Sequence, residues 1–312
     1  HRAVDSGIAE GGESAPLGRL GGMTVATALA VGIMRLRSQG AAAGVHASAA
    51  ADARLLLSEI VGRDRDWLIA HAGNELDVED LQTFGMLLEE RMRGVPVAYL
   101  THGCGFYGRE FYVDERVLVP RPETENLLEA ALADLRVRAS DGEGLSALDV
   151  GTGCGALAIT LAAELPKLTV TATDVASDAI DVAKLNAGSH DVAERISFAF
   201  CDTATALGGR KFDCIVANLP YIPSGDIPMP PDPVGFEPRI ALDGGHDGLD
   251  VYRRLALQLG DLMASGAGAY FEAAPPTIEG LAELIHRALP RATVRTLKDY
   301  AGLNRFVAVN AS

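Results

Sequence analysis

Between residues 24 and 92 the apolar positions recur at three- and four-residue steps. Ala49, Ala53, Leu56, Leu57 and Ile60 form one such series, and Leu81, Phe84, Leu87, Leu88 and Met92 form another. This period lines one face of a helix with apolar side chains. Gly40 to Gly44, Gly62 and Gly73 interrupt the series where helices are expected to stop. The pattern predicts a domain of about four helices over 23–95, whose simplest role is packing or docking a partner. Residues 96–120 change character. Gly103, Gly105 and Gly108 surround Phe106 and Tyr107, and Phe111, Tyr112 and Val113 lead to the apolar run 117–119. Aromatic and β-branched residues bounded by glycine predict a short hairpin linking two domains.

Helical spacing returns at 127–135, and from 146 onward apolar strands alternate with helices. The predicted strands are 147–150, 169–173, 196–200, 212–217, 269–272, 293–296 and 305–309, with helices near 156–164, 179–187 and 251–263. Such alternation predicts a parallel sheet covered on both faces. The last two strands, with little between them except Gly302, read as an antiparallel hairpin. That edge separates sheets that bind S-adenosylmethionine (AdoMet) from ordinary dinucleotide-binding ones. The expected fold is therefore α/β and Rossmann-like, with a seven-stranded, mostly parallel sheet ending in an antiparallel hairpin. It occupies 121–312 and follows a small N-terminal all-α domain. Residues 1–22, rich in Gly, Ser and Ala, read as a disordered leader or cloning remnant, with Met23 as a natural start.

At 312 residues and 48% hydrophobic content, the chain can build a core in each of two domains. A formal net charge of -15 argues against binding nucleic acid through its phosphates, which requires a dense Lys/Arg surface. Cys104, Cys154, Cys201 and Cys214 show no Cys-x-x-Cys spacing, so they predict reduced, cytoplasmic thiols and no zinc site. No apolar run approaches the roughly 20 residues of a membrane span.

Candidate chemistry lies at two strand ends. Gly151-Thr152-Gly153-Cys154-Gly155 stands between a strand and a helix, where glycine permits a sharp turn and close approach to a ligand. Asp149 precedes the turn and can meet the cationic amino-acid end of AdoMet. Asp174 ends the next strand, about twenty residues on, where an acid accepts ribose hydroxyls. Asp202 follows the third strand and can accept from an adenine amino group. NAD would fit the turn as well, but it leaves the second motif unexplained.

That motif is Asn218-Leu219-Pro220-Tyr221, which closes the apolar run 212–217. An amide nitrogen is a poor nucleophile because its lone pair is delocalised into the carbonyl. A site that methylates one is expected to accept both N–H groups, from the Asn218 side-chain oxygen and from the Leu219 or Pro220 carbonyl. This would aim the nitrogen at the methyl group and ease its loss of planarity. Proline stiffens such a loop, and the Tyr221 ring is expected to stack on the planar acceptor and face the sulfonium. No metal is needed, because the sulfonium is already an activated leaving group.

With these residues in place, the chain resembles the HemK/PrmC family of peptide-chain-release-factor glutamine N5-methyltransferases from about Thr24 to its C-terminus. The resemblance is carried by Gly94-Val95-Pro96-Val97-Ala98-Tyr99-Leu100, Phe106-Tyr107-Gly108 and Val119-Pro120-Arg121-Pro122-Glu123-Thr124-Glu125. The glycine turn, Asn218 to Tyr221, Glu237-Pro238, the stretch from Ala241 to Leu249, and Asp299-Tyr300-Ala301-Gly302 complete it. It implies an N-terminal domain that docks the release factor and a catalytic domain acting on the glutamine of the factor's Gly-Gly-Gln loop. It also implies AdoMet as cofactor, S-adenosylhomocysteine as product, no membrane, no direct nucleic-acid partner, and a monomer. Cofactor contacts would fall on Gly151, Thr152, Gly153, Cys154, Gly155, Asp174, Asp202 or Thr203, and Asn218. Substrate contacts would fall on Asn218, Leu219, Pro220 and Tyr221. Arg121 and Glu123 fit either a pocket wall or a salt-bridged latch between domains.

Two departures bear on this. Leu219 stands where the family usually has proline, which predicts a less rigid loop. Glu272-Ala273-Ala274-Pro275 stands where the family tends to read Glu-Ile-Gly, which predicts a reshaped end to the fifth strand. Asn-Leu-Pro-Tyr also resembles the motif of ribosomal-RNA adenine dimethyltransferases. The alternatives are thus a nucleic-acid adenine methyltransferase and a catalytically weak AdoMet-binding protein.

Overall fold

The computed structural model describes residues 22–139 and 144–311, so the predicted leader lies, apart from Gly22, outside the described residues. Four helices come first: α1 (Val25–Gln39), α2 (Ala43–Val61), α3 (Arg65–Ala70) and α4 (Val78–Met92). The Thr24 and Asp64 side chains cap α1 and α3 by accepting the Thr27 and Trp67 backbone N–H. The predicted apolar faces meet in one cluster that includes Val25, Leu36, Ala49, Ala53, Leu56, Leu57, Leu81, Phe84 and Leu88. Within it lies an ion pair: Arg91 Nε donates to Asp52 Oδ2 at 2.7 Å, with both side chains 5% exposed. The same guanidinium donates to the Gly94 and Val95 carbonyls, tying α2 and α4 to the chain that leaves them.

The segment predicted as a hairpin over 96–120 divides into three. It opens with a helical turn, α5 (Val97–Thr101), because Pro96 presets its entry and the Ala98 and Tyr99 side chains are drawn into the core. The hairpin itself is shorter, β1 (Cys104–Phe106) against β2 (Arg109–Phe111). Tyr107 and Gly108 sit at φ 49 and 69, the positive pair that the tightest right-twisted hairpin turns need. Residues 117–119 form no strand; Val117 and Val119 are buried by tertiary packing instead.

The second part begins with α6 (Thr124–Arg138) and runs β3 (Ser146–Val150), α7 (Ala156–Glu164), β4 (Thr169–Asp174), α8 (Ser177–Ser189), β5 (Ile196–Phe200) and β6 (Phe212–Ala217). It continues with α9 (Arg239–Leu242), α10 (Asp250–Leu262), β7 (Met263–Glu272), α11 (Ile278–Ala288), β8 (Thr293–Lys298) and β9 (Asn304–Asn310). The seven-stranded sheet has the order β5-β4-β3-β6-β7-β9-β8. Strands β3 to β7 are parallel, and β9 runs antiparallel to both of its neighbours, as the sequence predicts. Apolar clusters cover both faces. Strand β7 starts six residues before its predicted onset, because the small residues of 263–268 carry little strand propensity and are recruited by pairing with β6. Its other end is not disrupted: Ala273 N–H still donates to the Arg305 carbonyl at 2.9 Å.

The chain leaves β3 toward β4 and β5 on one side and crosses from β5 to β6 on the other side of β3, so the strand order reverses between β3 and β6 and a crevice opens at the C-terminal ends of these strands. Among the described residues, no helix is long and apolar enough to cross a membrane. Replacing Arg91 with Ala would leave Asp52 buried and unpaired. We expect a loss of about 3–5 kcal/mol in unfolding free energy, measured by chemical denaturation.

Candidate active site

The crevice is a cavity of about 730 Å³, within the usual range of some 300–1,000 Å³ for small-molecule sites. One wall is the glycine turn that follows β3. Gly151 and Thr152 N–H both donate to the Thr173 carbonyl at 2.9 Å, and Gly153 N–H donates to Asp174 Oδ2 at 2.9 Å. Gly151 has φ 73, and a Cβ there would lie 2.7 Å from Leu219 Cδ2. The bare face of Gly151 is therefore where the second motif packs.

Of the predicted cofactor residues, Gly151, Thr152, Gly153, Cys154, Asp174, Asp202, Thr203 and Asn218 line this one cavity. Gly155, at φ 88, lies behind the turn at the start of α7. Asp149 is buried beneath it. Its Oδ2 accepts from Thr152 Oγ1 at 2.7 Å and from Ala158 N at 3.2 Å, while Oδ1 has no partner. Asp174 shares its carboxylate between Gly153 N–H and Ala176 N–H, and burial pushes its carboxyl above the usual range. Asp202 pairs with Arg254 at 2.9 Å, and Thr203, at φ 52, accepts from Gln258 Nε2 at 2.6 Å. A strand-end glycine turn, an acid at the end of the next strand and an orphaned carboxylate oxygen under the turn together fit a nucleoside cofactor with a cationic tail.

The second motif divides. Asn218, Leu219 and Pro220 line the cavity. Tyr221 is not among the lining residues: its hydroxyl donates to Glu272 Oε1 at 3.3 Å, and its ring packs beside the apolar cluster of β6, β7 and α10. The stacking surface expected of Tyr221 is thus turned away, and burial raises its hydroxyl pKa. Leu219 does not simply loosen the loop. Its side chain is buried, and its N–H, which proline would lack, donates to Tyr252 Oη at 3.2 Å. Asn218 Nδ2 donates to Thr124 Oγ1 at 3.1 Å. Among the described residues, the Asn218 side-chain oxygen and the Leu219 and Pro220 carbonyls accept no hydrogen bond. Three acceptor atoms on neighbouring cavity-lining residues are therefore left without a donor.

Of the two roles that the sequence leaves open for Arg121, the cavity wall is the one it takes; its ion pair joins two residues of 121–312 and is not a latch between domains. Arg121 lines the cavity and also pairs with the buried Glu237, whose Oε2 accepts Val119 N–H at 3.1 Å. Sequence reasoning missed Thr124, Tyr252, Glu237 and Glu272. A glutamate at the end of the apolar strand of β7 was the available signal for Glu272. Thr124 and Glu237 stand in the sequence only as parts of motifs with no role attached, and Tyr252 carries no signal, because their partners lie 33 to 118 residues away.

An open parallel sheet with an antiparallel strand inserted near one edge, and with a glycine turn at its switch point, is the fold of a methyltransferase. Residues 27–101 match the PrmC N-terminal domain and residues 129–227 the methyltransferase small domain. The release factor glutamine methyltransferase of Chlorobaculum tepidum is 40% identical over 260 residues, 81% of this chain and 87% of that protein. The protein of the same name from Moorella thermoacetica is 36% identical over 283 residues, 91% and 97% of the two chains. A solved release-factor-specific protein-(glutamine-N5) methyltransferase from Alicyclobacillus acidocaldarius is 28% identical, covering 65% of this chain and 99% of that one with a TM-score of 0.39. The chain belongs to the release factor glutamine methyltransferases.

Burial holds the Asp149 and Glu272 carboxyls at about 7, well above their ordinary range. Between about pH 4 and pH 7 the native state therefore binds more protons than the unfolded chain, and stability falls as pH rises through that window. Asp149→Asn is expected to flatten part of this decline, read from urea midpoints between about pH 5 and pH 8.

Proposed function

We propose that this protein transfers a methyl group from AdoMet to the side-chain amide nitrogen of the glutamine in the Gly-Gly-Gln loop of peptide chain release factors. The supporting observation is the donor-free corner beside the glycine turn, formed by Asn218 Oδ1 and the Leu219 and Pro220 carbonyls. A primary amide brings two N–H donors, and this corner supplies their acceptors. Asn218 Oδ1 takes one and a backbone carbonyl takes the other, which fixes the nitrogen and weakens its conjugation with the carbonyl. Positioning and pre-aimed acceptors supply most of the acceleration. Bound AdoMet supplies a methyl group on a positively charged sulfur, an activated leaving group. The Gly151 to Cys154 backbone and Asp174 hold the nucleoside end, Asp202 or Thr203 lies toward the base, and Asp149, buried beneath the turn, braces it through Thr152 and Ala158. The amide loses its proton only after methylation has made it acidic, so no strong base is required.

An adenine amino group could use the same acceptors. The net charge of -15 favours a protein acceptor, because phosphate contacts dominate nucleic-acid affinity. The helices of 23–95 are the surface assigned to release-factor docking, and this reading places the protein in the cytoplasm as a monomer.

Incubation with labelled AdoMet and purified release factor should add one methyl group, mapped by peptide mass to the Gly-Gly-Gln glutamine. Label appearing in ribosomal RNA and not in the factor rejects the reading. Asn218→Ala should lower kcat by about 100-fold or more, with AdoMet affinity by calorimetry within about threefold of wild type.

A further inference from the structure

Glu272 ends β7, one strand over from Asn218, and is 1% exposed. Its Oε2 accepts the Thr124 hydroxyl at 2.7 Å, and its Oε1 accepts the Tyr221 hydroxyl at 3.3 Å. Thr124, at the start of α6, accepts Asn218 Nδ2 at 3.1 Å. An ionised carboxylate has no proton to give, so the Thr124 hydroxyl must donate to it. Its oxygen is then left only with lone pairs, and these can meet only the NH2 end of the Asn218 carboxamide. The order of donors along the chain leaves one orientation for that group.

We propose that Glu272 is a positioning residue that, through the Thr124 hydroxyl, holds the Asn218 carboxamide with its oxygen facing the cavity. The inference rests on the reading that this oxygen receives the acceptor amide. A protonated Glu272 reverses the chain. Its O–H donates to Thr124, whose hydroxyl is then free to donate to the Asn218 oxygen, and the carboxamide can turn its NH2 toward an incoming NH2. Donor then faces donor, and the substrate is repelled from the geometry it needs.

The surroundings of Glu272 place this reversal near neutrality. Burial pushes the carboxyl up. The Thr124 hydrogen bond, Arg305 on β9 and the Tyr221 hydroxyl pull it down, and Glu123 beside Thr124 adds to the rise, for a value of about 7. Arg305 is itself held by Asp299 at 2.8 Å, the Tyr252 hydroxyl of α10 donates to the Glu272 carbonyl, and Arg121 faces Tyr221. The loop backbone is thus held by Tyr252 at Leu219 N–H, and the Asn218 side chain is held by Thr124.

The test combines kinetics with a spectroscopic readout. In wild type, kcat for release-factor methylation should rise with pH through a midpoint near 7, the fully active form being the ionised one. Glu272→Leu, which offers the Thr124 hydroxyl no acceptor, is expected to lower kcat by about 100-fold, and neither it nor Glu272→Gln, which cannot titrate, should show that acid limb, with AdoMet affinity nearly unchanged in both. Thr124→Val should do the same, and Thr124→Ser, which keeps the hydroxyl, should recover most of what Thr124→Val loses. In wild type bound to S-adenosylhomocysteine, the Asn218 side-chain NH2 resonances should titrate with the same midpoint. The proposal is overturned by Glu272→Leu retaining kcat within threefold, by an acid limb that survives either substitution, by a failed serine rescue, or by Asn218 resonances that do not move. Titrating resonances in a protein that leaves release factor unlabelled would uphold the relay and reject the substrate assignment.

Discussion

The spacing of the two functional loops is set by one contact, the Leu219 side chain against the bare Cα of Gly151. These loops leave adjacent parallel strands, β3 and β6, paired in register from Ala147 with Cys214 to Val150 with Ala217. The sheet thus delivers both loop starts to the same level, and the contact keeps the loops from drifting apart beyond it. A Cβ at Gly151 would occupy space that Leu219 already fills, and φ 73 would strain any other residue there. Tyr252 completes the clamp from below, bonding the loop at Leu219 N–H and β7 at the Glu272 carbonyl. A buried phenol finds partners at both positions, which is how such a side chain is retained in an apolar core.

The clamp lies between two buried carboxylates, Asp149 and Glu272, at the ends of strands β3 and β7. Each opposes folding through desolvation and is only partly compensated by hydrogen bonds. Destabilising groups of this kind persist where a site needs an acceptor held in a fixed direction. Asp149 is held from one side only, leaving an oxygen beneath the cofactor wall. Glu272 is saturated by two hydroxyls, and its influence passes outward through them.

Much of this was legible along the chain. The alternation of apolar strands with helices gave the sheet, and the final pair with Gly302 gave its antiparallel edge, because period and turn chemistry are local properties. The glycine turn and Asn218 to Pro220 converge on one cavity for the same reason: both are strand ends, and parallel strands end on one side. Tyr221 escaped the reading because its orientation depends on Glu272, 51 residues away. The helical turn α5 and the early start of β7 escaped because burial and pairing outweighed weak intrinsic preferences. Leu219 illustrates the limit most clearly. By spelling it looks like a lost constraint, while the fold uses its N–H and its side chain for two constraints that proline does not offer together.

The insertion of β9 between β7 and β8 has a consequence for how the molecule comes into being. The strand that contributes Arg305 to the surroundings of Glu272 is the last of the seven to be synthesised. Until it arrives, β7 is an open edge of unpaired amides beside an apolar surface, and the acid at its tip lacks its nearest cation. Completion of this corner thus waits on β9, and a nascent chain can form the glycine turn and the Asn218 loop before the surroundings of Glu272 are in place.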